Sequence, residues 1–149
     1  MPYRTISIGP AAATMAGVSV AEQDAERVII EAANRMPGLR LLVLFGSRAR
    51  GDARSTSDWD LGYLAGAGFD PDALLLALVT ALNTERIDLV DLEHAGAVLR
   101  YRAARDGRPL VSAEPGAFER FAVEAVTFWC DIAPVLEAGY TDVLAELEP

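Results

Sequence analysis

The chain has 149 residues, 52% of them hydrophobic, which is the size and apolar content of one domain able to bury its own core. Its 22 acidic residues against 13 basic ones give a net charge of −9, which argues against a long non-specific grip on nucleic acid and for a small molecule or a protein as substrate. The single cysteine, Cys130, excludes an internal disulfide framework, and neither a signal-peptide core nor a membrane-length apolar run stands out, so the expected location is the cytoplasm, away from membranes.

Residues 1–18 show little periodicity and read as a loose arm. Ser19 and Glu22 have the Ser-x-x-Glu spacing of a capping box and open an amphipathic helix carrying Val28, Ile29 and Ala32, with Gly38 as its left-handed stop. Leu41 to Phe45 is a short unbroken apolar run, the pattern of a strand covered on both faces, and it ends at Gly46. Asp58 to Leu64 alternates, with Trp59, Leu61 and Tyr63 on one side and Asp58, Asp60, Gly62 and Leu64 on the other, which predicts a second strand. Asp70 and Pro71 form an N-cap and first-turn pair for a largely buried helix.

Arg86 to Leu92 is β-branched and alternating, a third strand; Ala97 to Asp106 reads as a helix stopped by Gly107, and Pro109 to Val111 as a short last strand. The tail carries Phe118, Phe121, Ala125, Phe128, Trp129 and Ile132 at helical spacing, and Pro134 within it predicts either a kink or two consecutive helices. The expected architecture is α/β (α+β): a small mixed sheet packed by helices, with residues 19–112 as the core and 113–149 as a helical extension of the same domain.

Two residues apart on a strand, Asp58 and Asp60 project from one face, close enough for both to touch one ion. Hard divalent cations are held by one or two carboxylates together with substrate phosphates, and no His or Cys cluster competes, so the pair points to Mg²⁺ rather than zinc. Upstream, Gly46 lacks a Cβ and lets the backbone come close to a ligand, while the hydroxyl of Ser47 beside free amides can cradle phosphate oxygens.

The stretch FGSRARGDARSTSDWDL resembles the signature of the minimal nucleotidyltransferases of the DNA polymerase β superfamily: Gly-Ser, ten residues, then Asp-x-Asp. RIDLVDL is similar to the strand that gives that superfamily its third carboxylate, and Asp88 is the matching acid; Asp91 points to the other face, so only one of the two can join the site. The resemblance implies transfer of AMP from ATP to a hydroxyl with release of pyrophosphate, assisted by two Mg²⁺ ions on Asp58, Asp60 and Asp88, with Asp88 also a candidate proton acceptor. Gly46 and Ser47 would seat the phosphates, Arg48 is assigned to the ligand, and Arg50 to pinning the loop.

A chain with this core and a helical tail, and no room for a larger second domain, resembles the stand-alone minimal type often paired with a HEPN-domain toxin, which it silences by adenylylating a tyrosine. Two other functions fit the same residues. One is a non-catalytic antitoxin that binds nucleotide but acts by stoichiometric contact; the other is a small-molecule nucleotidyltransferase of the aminoglycoside-modifying kind, for which a homodimer could complete a shared pocket. Outside the motif, Trp59 is expected in the core, His94 as a polar surface or cap residue, and Cys130 as a buried, inert thiol. Phe118, Phe121, Phe128 and Trp129 are either intramolecular core or in part a partner interface.

Overall fold

The computed structural model describes residues 19–147; the expected N-terminal arm lies outside the described residues. Nine elements follow in order: α1 (Val20–Ala33), β1 (Leu39–Phe45), α2 (Gly46–Arg50), β2 (Trp59–Ala65), α3 (Pro71–Leu82), β3 (Ile87–Asp91), α4 (Ala97–Asp106), β4 (Arg108–Ser112) and α5 (Ala117–Leu147). The strands form one sheet in the order β3-β2-β1-β4. β1 is antiparallel to β2 and to β4, whereas β2 and β3 are parallel, joined by the crossover helix α3. The sheet is therefore mixed, as expected from the pattern.

Alternation along β1 splits the core in two. Leu42 and Leu44 join Trp59 and Leu61 of β2 under Ile29 and Ala33 of α1 and Leu74 and Leu78 of α3. Leu41, Val43 and Phe45 face the other way, against Leu92, Ala103 of α4, and Phe121 and Ala125 of α5. Both faces of β1 are thus covered, which is why its sequence carries no polar alternation, and each fully buried leucine contributes roughly 1.5–3 kcal/mol.

Local chemistry sets the boundaries. Ser19 Oγ accepts the Glu22 amide and caps α1, but the Glu22 carboxylate turns away to Arg48 at 3.4 Å instead of closing the reciprocal half of a capping box. α1 stops at Ala33 with Asn34 in the right-handed region, so Gly38, at φ +78°, belongs to the turn entering β1 and is not the helix stop. Asp70 caps α3 through the amides of Asp72 and Ala73, and Asn83 closes it in the left-handed conformation. At α4, Gly107 ends the helix with extended backbone, and a Cβ there would run into the Ala103 carbonyl and Val43. A two-pronged ion pair between Arg108 of β4 and Glu26 of α1 ties the sheet edge to the first helix.

α5 runs from Ala117 to Leu147 as a single helix through Pro134, so the chain does not divide there into two helices. Cys130 is exposed, contrary to the expected burial, because only the face bearing Phe121 and Ala125 meets the sheet. The tail aromatics divide as well: Phe121 is buried, Phe118 is half-buried, Trp129 stacks on Tyr101 at 5.2 Å, and Phe128 is exposed. Among the described residues no helix is long and apolar enough to cross a membrane.

Candidate active site

Strand pairing sets the arrangement. Asp60 of β2 lies directly across from Asp88 of β3 and, on its other side, across from Phe45, the last residue of β1. Neighbouring strands are about 4.8 Å apart, so the two carboxylates start side by side. Asp58 immediately precedes β2 and completes the row. Asp58 and Asp88 are exposed, whereas Asp60 is half-buried between them. Its carboxyl is held above the usual range, first by burial and then by the negative charges of Asp88 and Asp58, with Arg50 and Arg48 pulling the other way.

At the end of β1 the chain turns into the short helix α2, an element too brief to show in the sequence pattern. Gly46 opens it at φ +71°, and a Cβ there would sit 2.1 Å from Asp60 Oδ2. Both facts demand glycine, and the second shows that the Gly-Ser corner lies flush against the central acid. Ser47 follows, its carbonyl accepting the amides of Gly51 and Asp52 to close the turn.

The loop from α2 to β2 is fastened by two guanidinium groups. Arg48 donates to the Ser57 carbonyl at 2.7 Å, lies over the Trp59 ring at 4.2 Å and is 9% exposed. Arg86 reaches from beside β3 to the Thr56 carbonyl at 2.5 Å. The two carbonyls just before Asp58 are thereby held, and with them the position of the first acid. Arg50 is 45% exposed and makes only long pairs, 3.4 Å to Asp52 and 3.6 Å to Asp106. Arg48 is thus engaged by the loop, and Arg50 is the more exposed of the two cations.

Asp91 is occupied elsewhere: it accepts the Glu93 amide and pairs with His94 Nδ1 at 2.8 Å, which leaves Asp88 as the acid of β3 facing the site and His94 as an exposed cap partner. Among the described residues, no three His, Cys, Asp or Glu side chains form a group that could by itself hold a metal ion. The acids instead make an open, all-oxygen row. Such a row suits Mg²⁺, which takes one or two carboxylates and completes its shell with water and phosphate, better than it suits zinc.

The family model for polymerase beta nucleotidyltransferases matches residues 27–115, a span containing the glycine-serine corner and all three acids. The chain belongs to this nucleotidyltransferase family. It is similar to protein adenylyltransferase MntA of Aphanizomenon flos-aquae, 33% identical over 104 residues, and the match takes in 58% of this chain and 66% of that one. A chain in a toxin-antitoxin crystal structure with AMP-PNP superposes at a TM-score of 0.68, with 32% identity and coverage of 80% of this chain and 98% of that chain. Another, from a complex of the tri-AMPylated Shewanella oneidensis HEPN toxin with an MNT antitoxin, superposes at 0.64, with 31% identity and coverage of 82% and 98%. What sequence reasoning missed are the long-range contacts of Arg86 and Glu22, whose partners lie 30 and 26 residues away in the chain and leave no local signal.

Proposed function

We propose that the chain transfers AMP from ATP to a tyrosine hydroxyl of a HEPN-domain toxin, and thereby acts in the cytoplasm as its antitoxin. The observation that carries this reading is the pairing of Asp60 with Asp88 on parallel strands, with Gly46 pressed against Asp60 and leaving no side chain between the acids and an incoming phosphate.

Asp58, Asp60 and Asp88 would hold two Mg²⁺ ions, and bound Mg²⁺ neutralises the triphosphate and lowers the pKa of the acceptor hydroxyl. The residues supply the rest. Gly46 leaves the backbone bare where the phosphates approach, and the Ser47 hydroxyl adds a donor beside it. Arg50, the more exposed of the two arginines, offers charge to the phosphate oxygens, while Arg48 and Arg86 keep Asp58 in place. The acceptor oxygen bonds to the α-phosphorus, the bond to the bridging oxygen breaks, pyrophosphate leaves, and Asp88, exposed at the edge of the row, receives the hydroxyl proton.

Two neighbours support this reading: one crystallised with AMP-PNP bears on the donor, and another in complex with a tri-AMPylated HEPN toxin bears on the acceptor protein. The test is co-expression with a HEPN-domain toxin from the same genome, followed by intact mass. The wild-type pair should show one or more added adenylyl groups on the toxin, and Asp58→Ala with Asp60→Ala should reduce the modification by a factor on the order of 10⁴. An unmodified toxin beside the wild-type chain sinks the enzymatic reading. Full neutralisation by the double variant would replace it with stoichiometric binding.

A further inference from the structure

Among the described residues, the second half of α5 has no packing partner. Its last buried residue is Ala125, and every position from Pro134 to Leu147 is exposed, about 21 Å of helix at 1.5 Å per residue. An overhanging helix held only by solvation would carry polar residues all round. This one does not: Val126, Trp129, Ala133, Leu136, Tyr140, Val143 and Leu147 recur at alternating spacings of three and four, the a/d spacing of a helix that packs on another surface along one stripe. The outer residues of that stripe are left in solvent, Tyr140 at 72% and Leu147 at 73%. An apolar row of this length on a free surface marks an interface.

Charge identifies what kind of surface covers it. After Arg120 the chain has no basic residue; Glu137 and Glu146 flank the stripe, and Asp131 and Asp142 lie on the helix face behind it. A second copy laid against it would oppose acid to acid, and an anionic membrane would be repelled in the same way. A partner whose apolar groove is edged by Arg and Lys meets both the stripe and its flanks.

We infer that the outer half of α5 is the docking element for the protein that this chain modifies, a partner presenting an apolar groove with basic edges, and that it is separate from the acidic row that performs transfer. This rests on the reading of the chain as a protein adenylyltransferase. Docking away from the reacting atoms raises the local concentration of the acceptor tyrosine without altering the chemistry.

The experiment measures binding to a HEPN-domain toxin from the same genome, and its adenylylation, for wild type and two full-length variants. Leu136→Asp with Tyr140→Asp spoils the stripe; Glu137→Lys with Glu146→Lys reverses the flanks and keeps the stripe. All four positions are exposed, so folding should survive, and matched melting curves verify it. Both variants should bind at least tenfold more weakly and show a raised KM for the toxin, while ATP-dependent melting shifts stay at the wild-type value. Added salt should weaken the wild-type complex. Wild-type affinity in both variants overturns the docking assignment while leaving the activity standing. No binding or modification by the wild-type chain overturns the functional reading first, and the docking assignment with it. Self-association of the chain alone that Tyr140→Asp disperses, or binding to phosphatidylserine vesicles that the same change abolishes, assigns the face to another occupant and overturns the inference.

Discussion

The two faces of β2 do opposite work. On one, Trp59 and Leu61 are buried against α1 and α3, and Arg48 is folded down over the indole; on the other, Asp60 stands between two further acids with its carboxyl held above its ordinary value. The period of two lets a single seven-residue strand set its packing side chains on one face and its candidate catalytic acid on the other, with no residue in both sets. The repulsion between like charges therefore falls on the acidic face. Like charges are crowded there in the absence of a cation, whereas the opposite face has the packing that holds them in place.

Substitutions can break this division. Gly46→Ala should have the largest effect: the new methyl would overlap Asp60 Oδ2 in a backbone conformation that alanine resists, displacing the carboxylate by about 1 Å and reducing kcat/KM by about 10²-fold. Steady-state pyrophosphate release gives the number, and activity within threefold of wild type would show that the corner does not serve the acids. Arg48→Ala acts from the other face, stranding the Ser57 carbonyl and uncovering Trp59, with an expected loss of about 1–3 kcal/mol in urea unfolding. Lysine there should not restore it, since it lacks the planar fork that can bond Ser57 while lying on the ring. A stability unchanged by Arg48→Ala together with weaker ATP binding would return this arginine to the ligand.

The smallest effect is one of pH. Because Asp60 titrates higher in the folded chain than in the unfolded one, its share of stability is present below the ordinary carboxylate range and is lost as pH rises through the raised value. In EDTA, Asp60→Asn should therefore melt above wild type at neutral pH, and the gap should close on acidification. Mg²⁺ with a non-hydrolysable ATP analogue should reverse the order, since cation binding requires the ionised carboxylate. A wild-type chain that melts higher than Asp60→Asn in EDTA would contradict the crowding of the acids.

What could be read from the sequence is what depends on short-range periodicity. Alternation placed Asp58 and Asp60 on one face and Trp59 on the other, and the same rule separated Asp88 from Asp91. The capping residues Ser19 and Asp70 announced their helices for equally local reasons. The rest depended on distant partners. Arg48 and Arg50 are indistinguishable in a string; only the fold sets one beneath the loop and leaves the other half in solvent. α2 spans five residues, too few for a helical period to register. Cys130 and the tail aromatics carried an apolar signal that does not say whether the covering surface belongs to the same chain.

Proline at position 134 gives the last helix a built-in weak joint. With no N–H of its own, it leaves the Cys130 carbonyl without the usual donor one turn back. The residues beyond it are too few to hold a helix in water unaided, and their order is borrowed from the packed half through that joint. Hydrogen exchange should therefore be fastest on the outer side, and anything that clamps it should slow exchange across Pro134 before it slows exchange in the sheet.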